Sequence, residues 1–516
     1  MSRSNHLLKN VFTVGAFTSL SRVLGMVREM LQSRLIGAGV EQSAFTLAFA
    51  IPNMARKLFG EGALTAAFVP IFKDEVESGA REKARRLARA VMTMSLVMLA
   101  AVVATAFLGL ECAVAWRREL DMSPRMLLTV RLVKTLLPYM IFICGAAFGM
   151  GVLNALGRFK AASAMPCLLN VFWIGVLLWI CFNPELEFDQ RIHRVAMAIL
   201  AAGAVQFAFM LWRMHAAGFS FAPLFAGWRD SNVRTVWRNT VIAAVGAGAV
   251  QINCMLDQVL AQKASPWAAG VIGYAERLMD LPLGVIGVAF GTVLLPTFSG
   301  LFARGDIAGA RAAFSSSVVN MMLLMMPAAA GLFVLAPEVT AVIYEGAAFD
   351  SLATVRVSRA LAVYSLGLAF FGYQKSIVPW FQAQKDVKTP LAVSVKMVFL
   401  NAFLNILAVF LLPVEWRHVG LAASTVLCAA AGGAVLTRIA GRRNGEIGLL
   451  SAMPKVLRVL AATVAMASVL YALKLCLPGW NVYVRLAVMI SAGALTYALF
   501  AFALGFKGFS RNGRTD

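Results

Sequence analysis

Acidic residues are scarce in this chain: 25 Asp and Glu stand against 47 Lys and Arg in 516 residues, and charge of either sign makes up only 14% of the whole. So little charge cannot cover a water-facing surface, which excludes a soluble enzyme or a soluble nucleic-acid-binding protein despite the net charge of +22. Histidine is rarer still, and His6, His193, His215 and His418 are too dispersed to form an HExxH-type site. The seven cysteines (Cys112, Cys144, Cys167, Cys181, Cys254, Cys428, Cys476) stand singly, mostly in apolar segments, without a CxxC or any metal-like spacing. They read as small core residues, and neither a metal nor a cofactor is expected. Long polar stretches are also missing: the connections are short, as at Gly37-Ala38-Gly39, Asn183-Pro184-Glu185 and Pro478-Gly479-Trp480, leaving no room for a folded soluble domain.

What remains is apolar: 60% of the residues are hydrophobic, and the mean hydropathy is +0.77. The chain is expected to be an all-α polytopic membrane protein. Segments able to cross roughly 30 Å of hydrocarbon recur from Val11 to Phe506, about 14 in all. The first two are expected at 11–35 and 43–71 and the last two at 454–477 and 484–506. Ten-residue alternating strands of a membrane barrel are absent. The N-terminal Met1 to Asn10 has a basic character, but the apolar stretch after it has no cleavage pattern before Arg22 and is expected to stay as the first helix. Lys and Arg concentrate in the even-numbered loops and both tails, with runs at Lys73 to Arg89, Arg229 to Arg238 and Arg438 to Arg458. By the positive-inside rule both termini are cytoplasmic, and the runs set topology and touch anionic lipid rather than nucleic acid.

An internal repeat organises the helices. Pro70, Phe72, Gly79, Ala84 and Arg85 recur as Pro296, Phe298, Gly305, Ala310 and Arg311, each displaced by 226 residues, and Tyr139 with Tyr364 and Lys160 with Lys385 echo at 225. The offset covers an even number of spans, so the copies are parallel repeats. Two pseudo-symmetric six-helix lobes are expected, at 1–215 and 216–445, with two further helices and a tail at 446–516.

Several helices carry charge where lipid-facing residues are apolar. The first contains Ser21-Arg22-Val23-Leu24-Gly25-Met26-Val27-Arg28-Glu29, the second Pro52-Asn53-Met54-Ala55-Arg56-Lys57-Leu58-Phe59-Gly60-Glu61-Gly62. A guanidinium stays protonated, and at the bilayer centre it costs about 2.5–3.5 kcal/mol on insertion scales. Arg22 and Glu29 share one helical face, with Arg28 about a third of a turn away. Pro52 and the Gly60/Gly62 pair bracket the charges of the second helix, so a bend is expected there. Lys57 and Glu61 can pair at i,i+4, leaving Arg56 least compensated. In the eighth span Glu276 and Asp280 share a face, Arg277 points elsewhere, and Pro282 with Gly284, Gly287 and Gly291 makes the helix breakable just beyond. These charges read either as internal salt bridges or as the lining of a water-filled anion site, and the cationic excess of the first lobe favours the second. Arginine's planar fork suits phosphate, which makes Arg22, Arg28, Arg56 and Arg277 candidate substrate-binding residues. Glu29, Glu61, Glu276 and Asp280 are their candidate charge partners or gate. Asp257, with Asn401 and Asn405, could hold a monovalent coupling cation or serve as interhelical hydrogen-bond glue.

The order of motifs resembles that of the MurJ/MviN family of lipid II flippases. The similarity rests on Ser21-Arg22-Val23-Leu24-Gly25, Ile51-Pro52-Asn53 with Arg56, Phe59-Gly60-Glu61-Gly62-Ala63 and Phe68-Val69-Pro70. It continues through Tyr274-Ala275-Glu276-Arg277-Leu278-Met279, Pro282 through Gly287-Val288-Ala289, Leu294-Leu295-Pro296, and Gln384-Lys385-Asp386-Val387-Lys388-Thr389-Pro390. The resemblance implies the multidrug/oligosaccharidyl-lipid/polysaccharide superfamily fold: two lobes around a cationic cavity, and two C-terminal helices forming a groove for a lipid tail. It implies alternating-access transport of undecaprenyl-diphosphate-linked disaccharide-pentapeptide (lipid II) across the bacterial inner membrane for peptidoglycan synthesis, by a monomer. Energy would come from the membrane potential or a monovalent cation. Where many members have Asp and a basic residue, this chain has Ser43 and Ala50. A flippase for another lipid-linked oligosaccharide, such as an O-antigen-like unit, would have the same fold. A cationic cavity would repel cationic drugs, and a membrane glycosyltransferase or phosphatase would need a metal-binding carboxylate pair or a general acid/base near the interface, which the sequence does not offer.

Overall fold

The computed structural model describes residues 2–60, 62–117, 122–219, 222–225, 227 and 230–506. The first repeat comprises α1 (Ser2–Ile36), α2 (Val40–Ala55), a π-helical turn (Arg56–Gly60), α3 (Ala63–Glu77), α4 (Arg81–Arg117), α5 (Pro124–Leu136), α6 (Tyr139–Ala155), α7 (Phe159–Cys181) and α8 (Phe188–His215). The second comprises α9 (Ser231–Ala264), α10 (Ala268–Ala303), α11 (Ile307–Tyr344), α12 (Ser351–Ala383), α13 (Lys388–Leu411) and α14 (Arg417–Asn444); α15 (Leu449–Cys476) and α16 (Val482–Ala503) follow. The only β feature among the described residues is an isolated bridge between Gly346 and Phe349.

Ten helical spans among the described residues are long and apolar enough to cross a membrane, fewer than the fourteen or so expected. Outside that set stand α1, α2, α9 and α10, on or beside which the sequence places Arg22, Arg28, Arg56, Asp257, Glu276 and Asp280. The first two spans of each repeat thus carry the charges singled out from the sequence.

Helix ends follow local chemistry. Ser123 accepts the Met126 N–H with Pro124 at the first position of α5, and Asp306 and Asp350 accept Gly309 and Ala353 N–H groups to start α11 and α12. The second span bends as expected. The π-turn Arg56–Gly60 separates α2 from α3, and Gly62 is required there because a Cβ would run into the Lys57 carbonyl oxygen. Pro138, which has no N–H to donate, divides the fourth span into α5 and α6. By contrast α10 runs unbroken through Pro282 and Pro296, so the break expected beyond Pro282 does not occur.

The repeat is reproduced in hydrogen bonds. Gly79 and Gly305 both take positive φ (78° and 72°). Arg85 Nε donates to the Gly218 carbonyl just past α8 (2.8 Å), and Arg311 Nη2 to that of Asn444 at the end of α14 (2.7 Å). A further pair lies at the same offset. Arg191 bonds the Leu186 and Leu35 carbonyls (2.8 and 3.0 Å), and Arg417 those of Leu412 and Ala264 (3.1 and 3.3 Å). Leu35, Ala264 and Asn444 lie in the last turns of α1, α9 and α14, whose carbonyls lack an intrahelical partner, and Leu186, Leu412 and Gly218 lie in the connections beside helices.

By packing, the chain divides into two compact units, Met1–Val259 with Gly346–Phe349, and Leu260–Glu345 with Asp350–Asp516. The division falls within α9 rather than at the repeat boundary near 215. In the first unit Trp173 meets Phe45 and Phe49 edge-on at 5.6 and 5.5 Å, and Phe68, Phe72 and Phe148 form a second core. In the second, the fully buried Trp380 packs against Phe298, Phe302 and Phe314. Phe72 and Phe298, related by the repeat, are both wholly buried.

The motif loop after α12 is clasped to the end of α14. Asp386 accepts the Thr389 N–H (2.9 Å) and hydroxyl (2.6 Å) and pairs with Arg443. These bonds, led by those from Thr389, lower its pKa from 3.8 to about 2. A depressed carboxylate stabilises the fold above its unfolded pKa and loses that effect as pH falls through the folded value. At pH 7 the wild type should therefore be more stable than Asp386→Ala by about 1 kcal/mol, as for a lost helix-start acceptor. In detergent melting curves that advantage should shrink below about pH 4 and be lost only as the pH falls below about 2. An advantage unchanged at pH 3 would contradict the clasp.

Candidate functional site

In the first unit, α1 and α7 build the most elaborate polar constellation. Arg28 Nη1 donates to Asn170 Oδ1 at 3.0 Å, and Nη2 donates to Glu29. Its guanidinium carbon lies 4.3 Å from the centroid of the Trp173 ring. Asn170 and Trp173 are three residues apart on α7, so both reach the same face of α1. The ring covers one face of the guanidinium, which confines further ligands to its edge. Its Nε is buried and has no hydrogen-bond partner.

The supports of this arginine are themselves held. Asn170 Nδ2 donates to the Ser21 carbonyl at 3.0 Å, the peptide joining Ser21 to Arg22, so one amide links the positions of both arginines. Trp173 Nε1 donates to Gln32 Oε1 at 2.6 Å, and Gln32 Nε2 to Gln42 Oε1 at 2.8 Å, extending the rail from α7 through α1 to α2. Asn170, Trp173, Gln32 and Gln42 are all buried. A buried network in which each member is bonded fixes rotamers in a way that single contacts do not.

The remaining candidates are placed as follows. Arg22 is exposed on α1. Arg56 opens the π-turn, and its Nε and Nη2 both donate to Asn53 Oδ1 (3.1 and 3.0 Å), so the arginine expected to be least compensated is aimed by a side-chain amide. Glu61 lies outside the described residues. On α9, Asp257 accepts from Asn253 Nδ2 at 3.2 Å. Those residues all belong to the first unit. In the second, Glu276 is half-buried and accepts the Tyr364 hydroxyl at 3.2 Å. Arg277 and Asp280 are exposed on the same helix. Asn405 Nδ2 donates to Asn401 Oδ1 at 3.1 Å, and both are buried. Asp257 and the asparagine pair therefore fall in different units. No cluster of three His, Cys, Asp or Glu side chains fit for a metal exists among the described residues.

The family model described as lipid II flippase MurJ matches residues 32–491. A probable lipid II flippase MurJ of Rhizobium tropici is 33% identical over 78% of this chain and 75% of its own length. The lipid II flippase MurJ of Burkholderia cenocepacia is 31% identical over 81% of each. The chain belongs to the lipid II flippase MurJ family. Among solved structures, a lipid II flippase MurJ in an inward closed conformation superposes with a TM-score of 0.78 at 20% identity, covering 95% of this chain and 98% of the other. An inward-facing MATE family transporter of the MOP superfamily gives 0.66 at 14% identity, over 84% and 94%. These likenesses establish the fold: an all-helical, multi-pass membrane protein of two related lobes and two appended helices.

For a MurJ-family chain, the residues missed from the sequence are the second layer around Arg28. Asn170 and Trp173 lie 142 and 145 positions from it, with only their polarity in an otherwise apolar helix to mark them. Tyr364 was visible as a repeat echo of Tyr139, but nothing in that echo tied it to Glu276.

Proposed function

We propose that this protein is a lipid II flippase, carrying the undecaprenyl-diphosphate-linked peptidoglycan precursor from the inner to the outer leaflet of the cytoplasmic membrane by alternating access. The observation that carries this reading is Arg28. It is a permanently charged fork within a membrane helix, fixed by Asn170, Glu29 and Trp173, with its buried Nε–H still unbonded. In low dielectric such a fork binds phosphate oxygens strongly. Arg22 and Arg56, in the same unit as Arg28, are assigned to the same anion; Arg277 of the second unit is assigned to substrate binding, with Glu276 and Asp280 as charge partners or gate. The headgroup would be shielded by protein while the prenyl tail stays in lipid.

The proposed protein is not an enzyme, needs no cofactor, acts as a monomer and has both termini in the cytoplasm, in keeping with the basic loops. Asp257 and Asn405 accept or donate within their own helices, to Asn253 and Asn401, and fall in different units, so we assign no coupling-cation site to them. We assign the energy source to the membrane potential, worth about 2.3 kcal/mol per charge per 100 mV. Purified protein in liposomes should move lipid II headgroups to the far leaflet, faster with an imposed potential. The gene should also restore growth to a bacterium depleted of its lipid II flippase. Rescue of an O-antigen flippase mutant alone would redirect the substrate, and no headgroup movement at any potential would defeat the proposal.

The second layer yields a graded test. Asn170→Ala removes a hydrogen bond to a charged group, worth about 1.5–3 kcal/mol, and should slow flipping by about 10- to 100-fold. Trp173→Phe keeps the ring face and should cost much less than Trp173→Leu, which removes it. Equal rates for the two Trp173 variants would show that the ring face does not hold Arg28.

A further inference from the structure

We propose that the second unit carries a binding site for one anionic diacyl phospholipid, in a trough between α11, α12, α14 and α15. The trough is a cavity of about 830 Å³ whose walls are apolar: Met322 and Met326 from α11, Phe370 from α12, Val435 from α14, Met453 and Val456 from α15. A smaller cavity of about 230 Å³ shares Met326 and Ala369 with it and continues past Leu460 and Ala467, lengthening the apolar channel along α15.

Polar groups are gathered at one end. Arg438 lies in the lining, beside a hydroxyl pair in which Tyr373 and Thr437 are hydrogen-bonded and Thr437 also donates to the Gly433 carbonyl. Arg438 precedes the last residue of α14 by six positions, or about 9 Å at 1.5 Å per residue. Leu449, the first residue of α15, borders the same end. The guanidinium therefore sits near the helix termini, at headgroup depth for helices that span the bilayer, and the apolar channel runs from it toward mid-helix. Among the described residues no hydrogen bond or ion pair reaches Arg438, whereas Arg443 on the same helix and Arg311, which bonds the Asn444 carbonyl at that helix's end, are both bonded. One unspent positive charge above an apolar channel is the complement of an amphiphile with one negative charge. A phosphodiester lipid carries one such charge, while a prenyl diphosphate would leave charge unmatched.

The site is separate from the lipid-tail groove implied for α15 and α16, because α16 contributes no residue to its lining.

The test uses the purified full-length chain in mixed micelles containing phosphatidylglycerol or phosphatidylcholine of identical acyl chains, with bound lipid counted by native mass spectrometry. Wild type should retain one phosphatidylglycerol, at least about tenfold more tightly than phosphatidylcholine. Arg438→Gln should lose that preference, Ala434→Trp should fill the trough and lose both lipids, and Arg442→Gln, outside the lining, should behave as wild type. Melting curves establish that each variant is folded. Equal retention of the two lipids by wild type, unchanged retention by both Arg438→Gln and Ala434→Trp, or displacement of phosphatidylglycerol by an equimolar prenyl diphosphate would each overturn the proposal. Binding is read without transport, so the result is independent of the flippase reading.

Discussion

Arg28→Ala should give a protein that inserts and melts close to wild type yet fails to sustain growth of a flippase-depleted bacterium, with headgroup transport in liposomes reduced by at least about 100-fold. The magnitude follows from what the guanidinium does. A charge-assisted hydrogen bond to substrate phosphate is worth about 1.5–3 kcal/mol, and a planar fork that makes two of them adds to that where water is excluded. Each 1.4 kcal/mol is a factor of ten. The stability cost is smaller because truncation also removes a charge from a membrane helix, although it strips Glu29 and Asn170 of the donor they share. Arg28→Lys discriminates charge from geometry. An ammonium keeps the charge, but it is a compact point charge on a flexible stem rather than a planar fork that stacks on Trp173 while bonding two acceptors. Transport by Arg28→Lys should therefore stay within about tenfold of Arg28→Ala rather than return to wild type. Wild-type growth and morphology of Arg28→Ala would remove the central support for an anion site on α1.

The repeat was legible in the sequence because the residues that mark it do the same backbone work in both copies. Gly79 and Gly305 supply positive φ, and Arg85 and Arg311 hold helix-end carbonyls. A side chain bound to the backbone depends only on the fold, so it is retained when lateral packing diverges. Arg191 and Arg417 obey the same offset and do the same work, and were as readable as the others. The bend of the second span was foreseeable from Pro52, Gly60 and Gly62. The continuity of α10 was not, since one proline removes a single intrahelical donor, and packing around a helix decides whether it breaks. The layer around Arg28 was hidden for a different reason. Helical periodicity reports neighbours three or four residues away, whereas the contacts of Arg28 with Asn170 and Trp173 exist only once α7 has packed on α1. The sequence thus exposed the charged residues and concealed what aims them.

The largest stability effect is expected at Glu338, whose carboxylate on α11 is almost fully buried and receives Lys474 from α15 and Arg485 from α16, each at 3.2 Å. Lys474 also donates to the Val334 carbonyl at 3.0 Å. One anion therefore ties both appended helices to the second repeat, beside the small apolar cluster of Leu335, Met466, Leu470, Leu486 and Met489. Glu338→Ala leaves two partly buried cations facing each other, and removing one partner of a buried pair costs about 3–5 kcal/mol. Glu338→Gln keeps the shape and one acceptor oxygen but turns an amide N–H toward the second cation and loses the charge, and should fall between. The triple change Glu338→Leu, Lys474→Met, Arg485→Leu should recover most of the loss, because a buried triad replaced by apolar side chains is often neutral or stabilising. Melting temperatures in detergent rank the four proteins. Limited proteolysis of the connection between α14 and α15 should show Glu338→Ala cut faster than wild type as α15 loosens. Because α15 forms one wall of the phospholipid trough, the same variant should also retain less phosphatidylglycerol, although Arg438 is untouched. A melting temperature for Glu338→Ala within a degree of wild type would mean that the apolar contacts alone hold α15 and α16, and that the buried charges contribute nothing to their docking.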